Sequence, residues 1–419
     1  MLTTVRGMKD ILHPESSRFA ALEHSFREHA ARYGFREIRT PLLERTELFS
    51  RAVGETTDIV EKEMYTFADR SGDSLTARPE GTAPVVRAVL EHRAAIGEWP
   101  VRLFYMGPMF RHERPQKGRL RQFHQFGAEL FGSVSPFADA ETIVFLYRFL
   151  REAGLHGVSL ELNSLGDGEC RPKFNAALAK FLEAQSANLC EDCRRRGERN
   201  PLRVLDCKSE GCIRATADAP SILDFLCDPC RDHFAAVEAL LGDVGIPFRR
   251  NPRMVRGLDY YRRTTFEFII PGMGAQNTVA AGGRYDGLAE MIGGKESIPA
   301  IGFALGVERL LMLIDEKTSG TPEADVFLVA SSPSFAAEAF RLKMQLAAEG
   351  VPAAMDYEGR SLKSQFRRAD KSGARAAIVF GEAEASRGAV GYRDMENGVQ
   401  EEVLADEAMR RLQRFRKEK

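Results

Sequence analysis

Alternation along FHQFGAELF (123–131) puts Gln125, Gly127 and Glu129 on one face of a strand. An amide and a carboxylate sharing a strand face suit a small polar ligand such as an amino acid. Gly127 between them leaves room for that ligand to approach the backbone. Arg111 ends the preceding strand, RLFYMGPMF. With Arg114, Lys117, Arg119 and Arg121 it makes five cations in eleven residues, an anion trap at the mouth of the same face. Arginine suits this task because its planar fork pairs two phosphate oxygens at once and never loses its charge. The chain offers no other phosphate-binding device. GGKES (293–297) resembles a P-loop end but has Ala289 where the upstream glycine is needed; no G-x-G-x-x-G follows a strand, and H-E-x-x-H is absent. Any nucleotide is therefore held by side chains. Spacing alone is equally compatible with a solvated loop beside a sheet with one wet face.

The cysteines offer a second chemistry. Cys190-x-x-Cys193 and Cys227-x-x-Cys230 have the knuckle spacing of a tetrahedral structural zinc site, with Cys207 and Cys212 between the pairs. The 33 intervening residues exceed the usual finger spacing. On this reading Cys170 is an ordinary thiol.

These groups need elements to position them. Residues 102–131 read as a β-hairpin with the polar loop HERPQKGRLRQ. Helices are expected over 16–33, capped by Ser16 or Ser17, over 79–97 with Pro79 at its start, and over 137–153, with a short strand at 158–163. FREIRTPLLE reads as a strand broken at Pro41. Residues 170–242 change character, with all seven cysteines and runs such as RRRGER, and read as an insertion. Strand signals resume at 264–270, 278–283 and 299–306, the last leading into the helix VERLLMLI. The linker EKTSGTPEA (316–324) marks a domain boundary. Beyond it DVFLVA, an 18-residue helix, VPAAMDY, a second helix and AAIVFG alternate as βαβαβ.

A length of 419 residues predicts two or three domains. With 44% hydrophobic and 28% charged residues the chain has an ordinary globular composition. A net charge of −1 excludes a general nucleic-acid coat, so RNA contact must come from local basic patches. One such patch is Lys363, Arg367 and Lys371, at i, i+4 and i+8 on one helix, although a solvated helix face has the same pattern. No apolar run is long enough for a signal peptide or a membrane span, and seven cysteines without an export signal point to a reducing cytoplasm.

FYMGPMFRHERPQKGRLRQFHQFGAE (104–129) resembles motif 2 of the class II aminoacyl-tRNA synthetases in its histidyl form, over 26 residues. RGLDYYRRTTFEF (256–268) and AAGGRYDGL (280–288) resemble the two histidyl signatures. IPAIGFALGVERL (298–310) resembles motif 3, and FREIRTPLLE resembles motif 1, which forms a dimer interface in this class. TARPEGTAPVVR (76–87) belongs to the same set.

The resemblance implies an α+β fold. An antiparallel-sheet catalytic core (1–169 and 243–318) carries a helical insertion (170–242), and a C-terminal α/β anticodon-binding domain covers 324–419. It implies that histidine is activated with ATP and Mg²⁺ and passed to its tRNA by a cytoplasmic homodimer, with no membrane partner. It places Arg111 and Arg256 on the α-phosphate, Arg114 near the terminal phosphates, and Arg309 over the adenine ring or the γ-phosphate. Glu80 and Thr82 would take the α-ammonium, although such residues also commonly open a helix. Glu129 and one or both of Tyr260 and Tyr261 would take the imidazole nitrogens, with Gln125 and Tyr285 lining the pocket. Gly282 and Gly283 would let backbone close on the ligand. Gln116, Lys363 and Arg367 would meet tRNA. The family does not require zinc, so zinc at Cys190, Cys193, Cys227 and Cys230 is expected from spacing alone. Two rivals share the resemblance: a histidine-binding regulatory paralogue, which usually loses the RGLDYY block and the anticodon domain, and a synthetase-like signalling protein, expected to lose the phosphate-site arginines. This chain keeps all of these.

Overall fold

The computed structural model describes residues 2–54, 57–116, 118–271, 277–314 and 324–417. Lys117 and residues 316–323 of the linker lie outside the described residues. The chain divides into two compact units, Met1–Ser319 and Gly320–Lys419.

The first unit is built on an eight-stranded sheet. Its strand order is Arg36–Glu37, Val101–Phe110, Gln122–Phe131, Ala300–Gly306, Thr278–Arg284, Arg262–Ile269, Ser159–Ser164 and Phe248–Arg250. The central pairings are antiparallel, and only the two edge strands pair parallel. The sheet is buried on both faces, each for its own reason. Phe126, Ala128 and Leu130 point to the side covered by helices Glu15–Arg32, Pro136–Glu152 and Asp228–Asp243. There they meet Phe26, Phe145, Phe149 and Phe234 in a dry layer where each buried aromatic contributes about 2–3 kcal/mol. Gln125, Gly127 and Glu129 point to the other side, under helices Thr46–Val53 and Thr82–Glu91. The hydrophobic alternation thus sets the register, and the register sets which face is left for chemistry.

A buried polar knot fixes the end of this sheet. Asp139 accepts hydrogen bonds from Thr264 Oγ1 (2.7 Å) and Arg284 Nε (3.1 Å), and His233 Nε2 lies 2.5 Å from its carboxylate. These charges are fully paired, which is the condition for burying them.

Several expectations change in detail. The first helix starts at Glu15 after Pro14, so Ser16 and Ser17 lie inside it and neither caps it. Pro79 precedes its helix, which begins at Thr82. FREIRTPLLE yields two short strands, Arg36–Glu37 and Leu43–Arg45, in different sheets; the second joins Ser74–Ala77 and Tyr65–Ala68 in a small antiparallel sheet that the sequence did not announce. The insertion packs as helices around its own core of Phe174, Leu178, Leu202, Val204 and Leu226.

In the second unit the βαβαβ order holds, with Ala353–Met355, Val326–Ala330 and Ala376–Phe380 parallel. Strands Ala389–Asp394 and Gln400–Leu404 extend the sheet antiparallel, and helix Ala405–Leu412 follows. The first helix of this unit covers Ala336–Ala348, 13 residues rather than 18, because Pro333–Phe335 form a tighter 3₁₀ turn ahead of it.

Candidate active site

A cavity of about 350 Å³ opens over the strand face that carries Gln125. Its walls bring together Glu80, Thr82, Arg111, Gln125, Arg256, Tyr260, Tyr261 and Arg309, contributed by five separated stretches of chain. A larger cavity of about 790 Å³ lies near Trp99 and Lys295 and contains none of these groups.

Two guanidinium groups are anchored so that each faces the cavity. Arg111 donates from Nε to the Pro79 carbonyl (2.8 Å) and lies over the Phe123 ring at 5.4 Å. Arg256 donates to Glu267 and stands 5.8 Å from the Tyr261 ring. Glu267 also accepts from Thr278 Oγ1 (3.0 Å), which fixes the carboxylate that fixes the arginine. Arg309 donates to the Thr278 carbonyl. Burial, with Arg119 nearby, lowers its pKa, an environment that favours a bound anion. Glu267, Thr278, Glu113 and Phe123 are site residues the sequence reading did not assign. Glu267 stood inside the RGLDYYRRTTFEF block, one strand alternation from the inward-facing Thr265, and could have been found there.

The floor is polar and dry. Glu129 is fully buried; Thr82 Oγ1 donates to its Oε1 (2.8 Å) and Tyr285 donates to its Oε2. Burial pushes the Glu129 carboxyl up to about 8, against the pull of those two hydrogen bonds. Tyr260 packs against Tyr285 at 5.6 Å and against Tyr261 at 4.7 Å. Burial raises the Tyr261 hydroxyl to about 12, so the phenol stays protonated. Four buried polar atoms here have no hydrogen-bond partner among the described residues: Tyr105 OH, Gln125 Oε1, Tyr260 OH and Arg256 Nε. Unpaired buried polar groups are costly, so their concentration around one cavity marks a place built to receive polar ligand atoms.

Other expected residues sit differently. Glu129 and Tyr285 form the layer beneath the walls, because each satisfies the other. Arg114 and Gln116 are exposed and do not line the cavity; Gln116 pairs with Arg119, which does. Glu80 accepts from the backbone N–H of Thr82 (2.7 Å) and Ala83 (2.8 Å), so it does open the helix as well as line the cavity. The space beside Gly127 is filled by the Tyr105 ring, within 2.4 Å of where a Cβ would stand. Gly282 and Gly283 serve packing: a side chain there would strike the Gly302 carbonyl and the Tyr261 ring. Gly302 has the strictest reason for its identity, since a Cβ would stand 1.5 Å from the Glu129 carboxylate.

The single zinc set expected from the two CxxC pairs is overturned. Cys190 and Cys193 converge with Cys207 and Cys212, whereas Cys227 and Cys230 converge with Cys170 and Asp167. The pairs sit at the starts of different helices, Glu191–Arg199 and Asp228–Asp243, and the fold between them brings other donors to each. Cys170, expected to stand alone, has two cysteines and a carboxylate beside it. In the second unit Lys363 and Arg367 lie on helix Leu362–Ser372, exposed, as is Lys371, while Arg368 turns back to Asp356.

Residues 7–310 match the family model described as histidyl-tRNA synthetase, and residues 325–415 match that of the anticodon binding domain. The chain is 50% identical to the histidine--tRNA ligase of Syntrophotalea carbinolica, over 97% of this chain and 96% of that one. It is 51% identical to that of Geobacter sulfurreducens, over 96% and 97%. Among solved structures it resembles the apo histidyl-tRNA synthetase of S. aureus, with a TM-score of 0.82 and 36% identity over 99% of this chain and 100% of that one.

Proposed function

Because the chain belongs to the histidyl-tRNA synthetase family, and so activates histidine with ATP and charges tRNA with it, we propose that adenylate formation takes place in the cavity between Arg111 and Arg256. The observation that carries this reading is the convergence of two separately anchored guanidinium groups on one small cavity whose floor holds a carboxyl group and phenols. The histidine carboxylate attacks the α-phosphorus of ATP in line, and pyrophosphate leaves from the opposite side. Negative charge crowds the phosphoryl oxygens in the transition state, and fixed cations relieve it most there. Arg111 and Arg256 hold the α-phosphate, while Arg309 and Arg114 serve the adenine and the terminal phosphates. Mg²⁺ binds phosphates with few protein ligands; Glu113 and Glu308, carboxylates on the cavity wall, would help to hold it, and it would supply positive charge at the phosphates.

The imidazole ring enters over Glu129, which exchanges a hydroxyl partner for a ring nitrogen. A phenol of the Tyr260–Tyr261 pair meets the other nitrogen, and Gln125 lines the approach. An amino acid lacking either nitrogen would leave those buried groups unpaired, which is the strong form of discrimination. Glu80 keeps free lone pairs for the α-ammonium while capping its helix. Glu80→Gln is expected to weaken histidine about 10- to 100-fold by calorimetry, in line with losing a charge-assisted pair, while imidazolepropionate, which has no ammonium, binds as before. Equal weakening of both compounds would remove Glu80 from the ammonium role.

The reading extends to partners. Lys363 and Arg367, with Lys371, form a stripe that follows a tRNA backbone, and Gln116 lies on the loop that meets the acceptor end. Reversing charge at Lys363 and Arg367 is expected to raise the KM for tRNA about tenfold or more and to flatten its dependence on salt. A KM equal to that of the unaltered protein would end the assignment. A homodimer formed through the 36–45 segment, where Leu42 and Leu43 are exposed, completes the reading. No helix among the described residues is long and apolar enough to cross a membrane. We place the enzyme in the cytoplasm, where its thiols stay reduced, with a structural zinc on Cys190, Cys193, Cys207 and Cys212.

A further inference from the structure

All seven cysteines of the chain are free and all seven fall into two clusters, four in one and three in the other, where Asp167 supplies the fourth donor. Within each set the donor atoms lie within 4.8 Å of one another. In the second set Cys170 Sγ is 3.3 Å from Cys227 Sγ and 3.5 Å from Asp167 Oδ1, and Cys227 Sγ is 3.9 Å from the same oxygen. These separations are far longer than a disulfide bond of about 2.05 Å. They are close to the edge of a tetrahedron of thiolates about 2.3 Å from a central zinc, roughly 3.8 Å. Cys170 and Cys230 lie in the first turns of two helices, and Cys170 Sγ accepts the backbone N–H of Cys227 (3.1 Å).

The position of this set is as informative as its composition. Asp167 follows the sheet strand Ser159–Ser164, and its other oxygen, Oδ2, takes a contact from Arg263 Nη2 (3.5 Å). Leu165 N donates to the Arg263 carbonyl (2.7 Å) and Arg263 N donates to the Gly166 carbonyl (2.8 Å). Arg263 is held at φ 49°, a left-handed conformation that a non-glycine residue adopts only when its surroundings enforce it. Arg171, one residue past Cys170, donates to the Tyr261 carbonyl (3.1 Å). From the other side Arg203 donates to Asp259 (2.9 Å), on the stretch between Cys193 and Cys207.

We propose that Asp167, Cys170, Cys227 and Cys230 form a second zinc site, separate from the Cys190–Cys212 site, which fastens the insertion to the catalytic sheet and braces the Asp259–Arg263 segment that carries the tyrosine pair. Zinc is the fitting ion because it accepts a mixed thiolate and carboxylate tetrahedron without geometric preference. The bracing role rests on the reading of Tyr260 and Tyr261 as imidazole partners; the site itself does not.

The full chain, purified without chelator, is expected to hold two zinc ions by elemental analysis. Cys230→Ser and Cys193→Ser are each expected to lose a different one. Asp167→Asn keeps the volume and the fold but weakens the second site, and is expected to raise the KM for histidine at least about tenfold with a smaller change for ATP, as loss of a supporting partner in a metal site does. One zinc that Cys230→Ser retains, an iron–sulfur chromophore, disulfides in the purified chain, or seven titratable thiols with no metal would each overturn the site. Two zinc ions, with Asp167→Asn releasing one and leaving the KM for histidine unchanged, would overturn the brace alone.

Discussion

Arg256→Ala is expected to slow histidine-dependent ATP–pyrophosphate exchange by at least about 10³-fold while the circular dichroism spectrum stays that of the unaltered protein. The magnitude follows from what a preorganised donor contributes in a site closed to water, about 10²- to 10³-fold for a neutral one, with a full charge at the phosphorus worth more. The substitution has a structural side effect that must be separated from the chemical one. Arg256 and Glu267 are an ion pair with little exposure, so removing the arginine leaves a half-buried carboxylate without its cation, which destabilises the fold. Pairing Arg256→Ala with Glu267→Gln removes that stranded charge. The double variant is expected to recover most of the lost thermal stability and none of the exchange activity. Recovery of exchange in the double variant, or near-normal exchange in the single one, would falsify the assignment of Arg256 to the α-phosphate.

Glu129→Gln is the second large effect, and it has opposite signs for binding and for stability. Gln keeps the volume and a carbonyl for Thr82 or Tyr285 but cannot offer a carboxylate to a ring N–H, so histidine affinity is expected to fall by about 100-fold or more, the scale on which a site built to hydrogen-bond its substrate rejects a mismatch. The free protein should gain. Glu129 has a carboxyl pKa raised by burial from 4.5 to about 8. Between those values the folded chain holds a proton that the unfolded chain has released. Stability therefore falls as pH rises through this window and levels off above it. Glutamine has no such dependence. In thermal melts without histidine, the advantage of the variant over the unaltered protein is expected to widen from about pH 5 to about pH 8 and then stay constant. A gap that is flat or narrows over that range would show that Glu129 is ionised in the free protein and would remove the physical basis of the dry floor.

Much of this site was legible before any coordinates, for reasons specific to each element. The hairpin was legible because its pattern is strict: Phe126, Ala128 and Leu130 demand a core, and the residues between them must then face elsewhere. The structure adds the partners across neighbouring strands, Gly302 opposite Glu129 and Gly107 opposite Gln125. That arginine side chains would hold any phosphate was legible by elimination, since no backbone phosphate loop is present, while Arg256 and Arg309 were singled out only by the family resemblance. Lys117 and most of the interdomain linker stay outside the described residues, so their expected roles gain nothing from the fold. What failed was anything that depended on which partner lies across space. Glu267 went unassigned because its partner, Arg256, stands eleven residues away in the chain. Gly127, Gly282 and Gly283 were read as ligand-facing, yet the Tyr105 ring, a neighbouring strand and Tyr261 occupy those spaces. The short strands around Leu43 and Tyr65 carried too little periodicity to register.

The linear sequence decided the kind of chemistry available here: side-chain cations for phosphate, a buried carboxyl and phenols for a small ring, and thiols in knuckle pairs for a soft metal. It also decided which face of each strand is dry, because alternation and burial are local rules that act residue by residue. Tertiary structure alone decided which groups meet. It brought Arg256 and Arg111 to one cavity, set Glu129 against Thr82 and Tyr285, and sent each cysteine pair to a different set of partners. The physical reason is that hydrogen bonds, ion pairs and metal coordination act over a few ångströms of space, whereas chain separation carries almost no information about that distance once the chain has folded back on itself.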